Sequence, residues 1–140
     1  MSRIFWDTNV FIYLFEGDGQ MHSKAVELRE AMLRRGDHLA TSTLTLGEIL
    51  VKPMELRNPE LTKKYEEAIL ATAQLIPFDL KAARIFARLR GDRSIRAPDA
   101  VQLACAAAAG MDLFITNDER LHAKHVEGIQ FIVPLERAPL

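Results

Sequence analysis

The chain has 140 residues, of which 49% are hydrophobic and 26% charged, with a formal net charge of −1. That size and balance fit one soluble globular domain and exclude a disordered chain or one drawn to nucleic acid by global charge. No run approaches the ~20 apolar residues that cross a bilayer, and a single cysteine, Cys105, allows no internal disulfide.

The start, Met1-Ser2-Arg3-Ile4-Phe5-Trp6-Asp7, puts an acid where a signal peptide carries its apolar stretch, so a cytoplasmic protein is expected. Ile4-Phe5-Trp6 reads as a first short strand, while Asn9–Phe15 fits helix and strand equally well. Ala25, Leu28 and Met32 share one helical face. Leu39-Ala40-Thr41 reads as a second strand, followed at once by a helix in which Thr45-x-x-Glu48 has the form of a capping box. Lys52-Pro53 and Asn58-Pro59 look like turns between helices. Leu61, Tyr65, Ala68 and Ile69 follow helical spacing, and Leu75-Ile76 makes a third strand. Asp79 suits the cap of the next helix, whose apolar face is Ala82, Ile85, Phe86 and Leu89. From Pro98 to Ala109 the chain is apolar nearly all round, which predicts a central buried helix with Pro98 in its first turn and Gly110 at its end. Leu113-Phe114-Ile115 and Phe131-Ile132-Val133 complete five strands.

None of these runs alternates apolar with polar, so each is expected to be buried on both faces. Strands alternating with helices imply an α/β domain over residues 1–140, its parallel sheet covered by helices. Ligands in such sheets bind beyond the carboxyl ends of the strands, near a switch in strand order. Asp7 follows the first strand and Asp118 the fourth; Glu48 and Asp99 lie early in helices that face the same end. Each acid also has a simpler role, as a cap or as a partner of a helix dipole. Together they make a site. Four carboxylates within a few ångströms cannot all stay ionised without a cation, and a hard divalent ion bound through oxygens resolves the conflict. Magnesium or manganese there would polarise a phosphodiester and lower the pKa of an attacking water. If two ions act, Asp7 on its rigid strand end is the expected bridge, with Asp99 and Asp118 on one ion or its water and Glu48 on the second.

The segments Ile4-Phe5-Trp6-Asp7-Thr8-Asn9-Val10, Thr45-Leu46-Gly47-Glu48-Ile49-Leu50, Pro98-Asp99-Ala100-x-x-Leu103-Ala104 and Leu113-Phe114-Ile115-Thr116-Asn117-Asp118 together resemble the PIN domain, in order and over nearly the whole chain. The resemblance implies a three-layer α/β/α sandwich with a five-stranded parallel sheet and a Mg²⁺- or Mn²⁺-dependent endoribonuclease. At this length the chain is similar to the VapC toxins, which cut RNA, form homodimers and are silenced by a VapB-type antitoxin. Carried over by position, Asp7, Glu48, Asp99 and Asp118 match the family's four acids, Thr116 its hydroxyl beside the first acid, and Asn9 a polar residue near the site. A PIN-type RNA-processing nuclease outside any toxin–antitoxin pair, or a metal-binding module that acts only through partners, would carry the same acids.

A phosphatase of the haloacid-dehalogenase kind needs an acid where Asn9 stands, and a response-regulator receiver needs adjacent acids where there is only Asp7. Between Lys81 and Arg96 lie Lys81, Arg84, Arg88, Arg90, Arg93 and Arg96 against Asp92 alone. Arg93 and Arg96, just ahead of Asp99, are the candidates for RNA phosphate contacts. His122 and His125 lack a third ligand, Cys105 reads as packing, Tyr13 as core or a base-stacking platform, and Asp112 as a strand residue outside the site.

Overall fold

In the computed structural model, which describes residues 1–139, five strands form one wholly parallel sheet. They are β1 (Arg3–Trp6), β2 (His38–Ser42), β3 (Gln74–Ile76), β4 (Met111–Ile115) and β5 (Ile129–Val133), in the order β3-β2-β1-β4-β5. β1 is central, with Phe5 opposite Ala40 on one side and Phe114 on the other. Successive side chains of a strand point to opposite faces, so β1 feeds two cores. Phe5 joins Ala40, Leu103, Ala104 and Phe114 on one face, its ring stacked on Phe114 with centroids 5.0 Å apart. Ile4 and Trp6 join Val10, Leu28, Ile69 and Ile115 on the other.

Helices α1 (Thr8–Glu16), α2 (Gly19–Arg35), α3 (Thr43–Glu55) and α4 (Pro59–Thr72) cover the face of Trp6. Helices α5 (Leu80–Leu89) and α6 (Ala97–Ala109) cover the face of Phe5. The result is the expected three-layer α/β/α sandwich. The ambiguous stretch after Asp7 is the helix α1, with Val10 and Phe11 buried. α6 is the buried helix the sequence implies: Ala100 and Leu103–Ala106 are inaccessible, Pro98 lies in its first turn, and Gly110 caps it at φ +75°. Asp79 caps α5, accepting from the Ala82 N–H at 2.9 Å. No described helix is long and apolar enough to cross a membrane.

Three local expectations are corrected. Lys52-Pro53 is no turn, because α3 runs through Pro53 to Glu55. Pro53 lies in the last turn, where its fixed φ is already helical and only one backbone bond is lost. The turn comes later, at Arg57, whose φ of +52° is the one left-handed non-glycine among the described residues. The helix start is one turn earlier than Thr45-x-x-Glu48 implies: Ser42 is the cap, facing the Thr45 N–H, which leaves Glu48 beyond the first turn. β5 is not buried on both faces, since it is an edge strand with Phe131 64% exposed. Edge position, rather than composition, sets its exposure.

The approach to β5 is tight. Gly128 has φ +99°, and a Cβ there would sit 2.6 Å from the Ala107 carbonyl oxygen of α6. The Gly128 carbonyl meanwhile accepts from the Met111 N–H at 2.9 Å, so this segment cannot back away without losing the start of β4. Gly128→Ala is therefore expected to destabilise the fold by about 2 kcal/mol, read as a lower denaturant midpoint at unchanged slope.

Candidate active site

β1 and β4 are neighbours whose onward chains turn in different directions, and the crevice at their carboxyl ends is the switch point of this sheet. Asp7 sits there as the cap of α1. Its N–H donates to the Ile115 carbonyl at 3.0 Å, its Oδ1 accepts from the Thr8 N–H at 2.8 Å, and its Oδ2 accepts from the Thr116 hydroxyl at 2.7 Å. Thr116 is fully buried, and its Oγ1 also accepts from the Asp118 N–H at 3.1 Å. One hydroxyl thus joins the end of β1 to the loop after β4. Only 8% of Asp7 is exposed, and its pKa is pushed up to about 6. Burial is the largest cause. The Thr116 and Thr8 bonds oppose it, and the charges of Asp99 and Glu48 add to it. Asp99 and Glu48 are therefore close enough for their charges to act on Asp7.

Glu48 is held by a network that sequence reading missed. The Thr8 hydroxyl donates to Glu48 Oε1 at 2.6 Å and accepts from Gln102 Nε2 at 3.1 Å. Gln102 also reaches the Thr45 hydroxyl at 2.8 Å and accepts from Ser42 Oγ, while the Thr41 hydroxyl lies 2.8 Å from both Thr45 Oγ1 and the Trp6 carbonyl. The signal was present: Gln102 is the one amide in an otherwise apolar helical run, and a buried amide demands partners. Gln102→Leu strands Thr8, Thr45 and Ser42 in an apolar setting. It is expected to cost about 1–3 kcal/mol, measured by thermal unfolding.

Asp99 occupies the first turn of α6 and Asp118 caps a 3-10 turn, Glu119–Leu121. Burial raises the Asp99 pKa, the charge of Asp118 raises it further, and Arg120 and Arg96 oppose. Asp118 is held low instead, chiefly by hydrogen bonds from Arg120. Arg96 thus borders this pair, as its position before Asp99 suggested, whereas Arg93 is an exposed turn residue that is not among the main charges acting on them. Arg120 went unnoticed in the sequence because a single arginine two residues after an acid has no distinctive pattern.

Asn9, two residues beyond Asp7, has a buried Oδ1 with no partner. His122 gives its Nε2 to the Thr116 carbonyl at 2.7 Å, a structural role rather than half of a metal pair. Cys105 is buried, its thiol raised to about 11 by burial, which suits packing and not nucleophilic attack. Asp112 accepts from the Arg3 N–H at the opposite end of the sheet. Beside Asp118, an open polar hollow of about 500 Å³ is lined by Tyr13, Asn117, Glu119, His122, Pro134, Glu136 and Arg137.

Among the described residues, no three His, Cys, Asp or Glu side chains close on one point as they stand. Glu48 is tied to Thr8 and Asp118 to Arg120. The donor set still fits a hard divalent cation: it is all oxygen, and Asp7 is driven toward its neutral form by burial, with the charges of Asp99 and Glu48 adding to it. The family comparison bears on this. The PIN domain model matches residues 4–127, a span holding all four acids.

The chain belongs to the PIN domain family.

PIN domains are typically nucleases that use divalent metal ions. No curated protein matches this PIN domain. It is similar to solved structures from toxin–antitoxin complexes. VapBC2 from Rickettsia felis, bound to a DNA fragment from its promoter, superposes with a TM-score of 0.75 at 16% identity, over 94% of this chain and 98% of that one. DNA-bound VapBC from Salmonella typhimurium gives 0.74 at 18%, over 96% and 99%. A toxin–antitoxin complex from Klebsiella pneumoniae gives 0.67 at 24%, over 90% and 94%. At these identities the likeness is one of fold.

A pH dependence follows for the metal-free PIN domain. With its folded pKa raised from 3.8 to about 6, Asp7 holds its proton more tightly folded than unfolded. The contribution of Asp7 to stability is then highest below pH 4, falls as pH rises from about 4 to 6, and stays low above. Asp7→Asn removes the loss. In EDTA it is expected to be more stable than the wild type by about 1–3 kcal/mol at pH 7.5, the gap closing toward pH 4 in a series of thermal melts.

Proposed function

We propose that this PIN domain is an endoribonuclease that hydrolyses RNA phosphodiester bonds with Mg²⁺ or Mn²⁺, and that it is the toxin of a toxin–antitoxin pair. The observation that carries the reading is the placement of Asp7. A carboxylate is kept almost out of water at the switch point of the sheet, within electrostatic reach of Asp99 and Glu48, with Asp118 one hydrogen-bonded loop away. Carboxylates in that arrangement raise one another's pKa, and a cation held between them relieves the cost.

In this reading Asp7, Glu48, Asp99 and Asp118 hold the metal. When bound, such an ion supplies the positive charge that polarises the phosphodiester and makes an attacking water acidic. The chain's own residues do the rest. Thr116 fixes the Asp7 carboxylate, Thr8 fixes Glu48, and Asn9 offers a further oxygen close by. Water adds to phosphorus, and the bond from phosphorus to the leaving sugar oxygen breaks. Arg96 borders the acids and suits a flanking phosphate, and Arg93, three residues before it in an exposed turn, is the second candidate. The hollow beside Asp118, with Tyr13 in its wall, suits an unpaired base of single-stranded RNA.

The structural neighbours include VapBC complexes, and on that likeness we assign this chain a VapB-type antitoxin; a homodimeric state is what the resemblance to the VapC toxins implies. A small groove is lined by Ile12, Phe15, Glu16, Glu48, Ile49, Lys52 and Tyr65, and Val51, Met54 and Leu56 of the same helix α3 and its cap are exposed. An antitoxin segment laid there would reach the acids.

Purified protein, freed of any partner, is expected to cut a mixed RNA pool in Mg²⁺ or Mn²⁺. Cleavage should vanish in EDTA and fall by about 10²–10³-fold in a folded Asp7→Asn variant. Cleavage that survives both treatments, or no cleavage of any RNA by the folded wild type with metal present, would overturn the assignment.

A further inference from the structure

The site contains a cation of its own. Arg120 Nε lies 2.9 Å from Asp118 Oδ1 and its Nη2 lies 2.5 Å from Asp118 Oδ2, a two-pronged pairing that engages both carboxylate oxygens. The same Nη2 is 3.6 Å from Asp99 Oδ2, so one guanidinium spans the two acids. A third bond, from the Arg120 N–H to Asp118 Oδ1 at 3.1 Å, fixes the turn from which the side chain reaches back. Nearly half of the Arg120 side chain faces solvent, whereas the two carboxylates are largely covered. The arginine therefore has room to leave and the acids do not.

We infer that Arg120 is the resident counter-cation of the Asp99–Asp118 pair and competes with a divalent ion for it. The inference rests on the metal-dependent reading proposed above. Its physical basis is that a guanidinium spanning both acids and a doubly charged ion on the same oxygens repel one another at close range, and they contend for the same lone pairs. A planar fork on a long flexible stem binds a carboxylate well and can still swing clear. Without metal, Arg120 quenches the repulsion between Asp99 and Asp118. With metal it is displaced, and its charge is released at the mouth of the site, where a phosphate would approach. Metal affinity is accordingly lower than the four acids alone would give, and the released arginine ties substrate contact to metal occupancy.

The test is Mn²⁺ binding to the full chain, followed by electron paramagnetic resonance of the free ion, in the wild type, Arg120→Gln and Arg93→Gln. Arg93→Gln removes the same charge from an exposed turn without touching the acids. Arg120→Gln is expected to bind Mn²⁺ about two- to fivefold more tightly than Arg93→Gln, the scale of a partly exposed ion pair. Arg120→Lys, which keeps the charge but not the fork, should fall between Arg120→Gln and the wild type. Thermal melts supply a second readout: Arg120→Gln should melt below the wild type in EDTA and close that gap at saturating Mn²⁺. Equal Mn²⁺ affinity in Arg120→Gln and Arg93→Gln, or weaker binding in Arg120→Gln, overturns the inference while leaving the metal reading intact. Absence of saturable Mn²⁺ binding in all variants overturns both.

Discussion

The hydrogen bond from Thr116 to Asp7 is the constraint around which this molecule is arranged. It joins residues 109 positions apart, it is fully buried, and it fixes a carboxylate where burial alone would neutralise it. Setting that bond requires β1 and β4 in register, with Trp6 beside Ile115. Register in turn requires the two cores that Phe5 and Trp6 fill from opposite faces of one strand. Disturbing either core therefore moves the acid.

The acids serve the fold and the site together. Asp7 caps α1, Asp118 caps the turn after β4, and Asp99 sits at the start of α6. Free N–H groups at helix starts favour a negative charge, which is how a fold can hold carboxylates near one another at modest cost. A cap and a ligand are thus not rival explanations of the same residue. The cap fixes the carboxylate's direction, and the shared sheet edge gives it company.

Much of this was readable from sequence because buried parallel strands leave short, uninterrupted apolar runs, and all five were found where such runs lie. Asp7, Asp99 and Asp118 drew notice for a related reason: each stands at a boundary between elements, which composition marks, whereas Glu48 lies beyond the first turn of α3. What escaped was whatever depends on neighbours distant in the chain. Phe131 has the composition of a core residue and is exposed because β5 lies at the edge of the sheet. Pro53 has the composition of a turn and is helical because it falls in a last turn. The Gln102–Thr8–Glu48 chain joins three segments and has no local pattern, although the lone amide in α6 was visible. Arg120 shows its meaning only once Asp99 is brought beside Asp118.

The strand order has a consequence for the order of events during synthesis. β1 emerges first from the ribosome but stands in the middle of the sheet, between β2 and β4. No hairpin of adjacent strands is available to it, and a wholly parallel sheet of this kind closes late, since distant partners must all be present. Asp7 gains the hydroxyl of Thr116 only once the 109 positions that separate them have been made. Until then Asp7 is an acid on an unpaired strand, with neither Asp99 nor Asp118 beside it. A chain made only as far as β3 therefore lacks the juxtaposition of acids that the finished fold brings about.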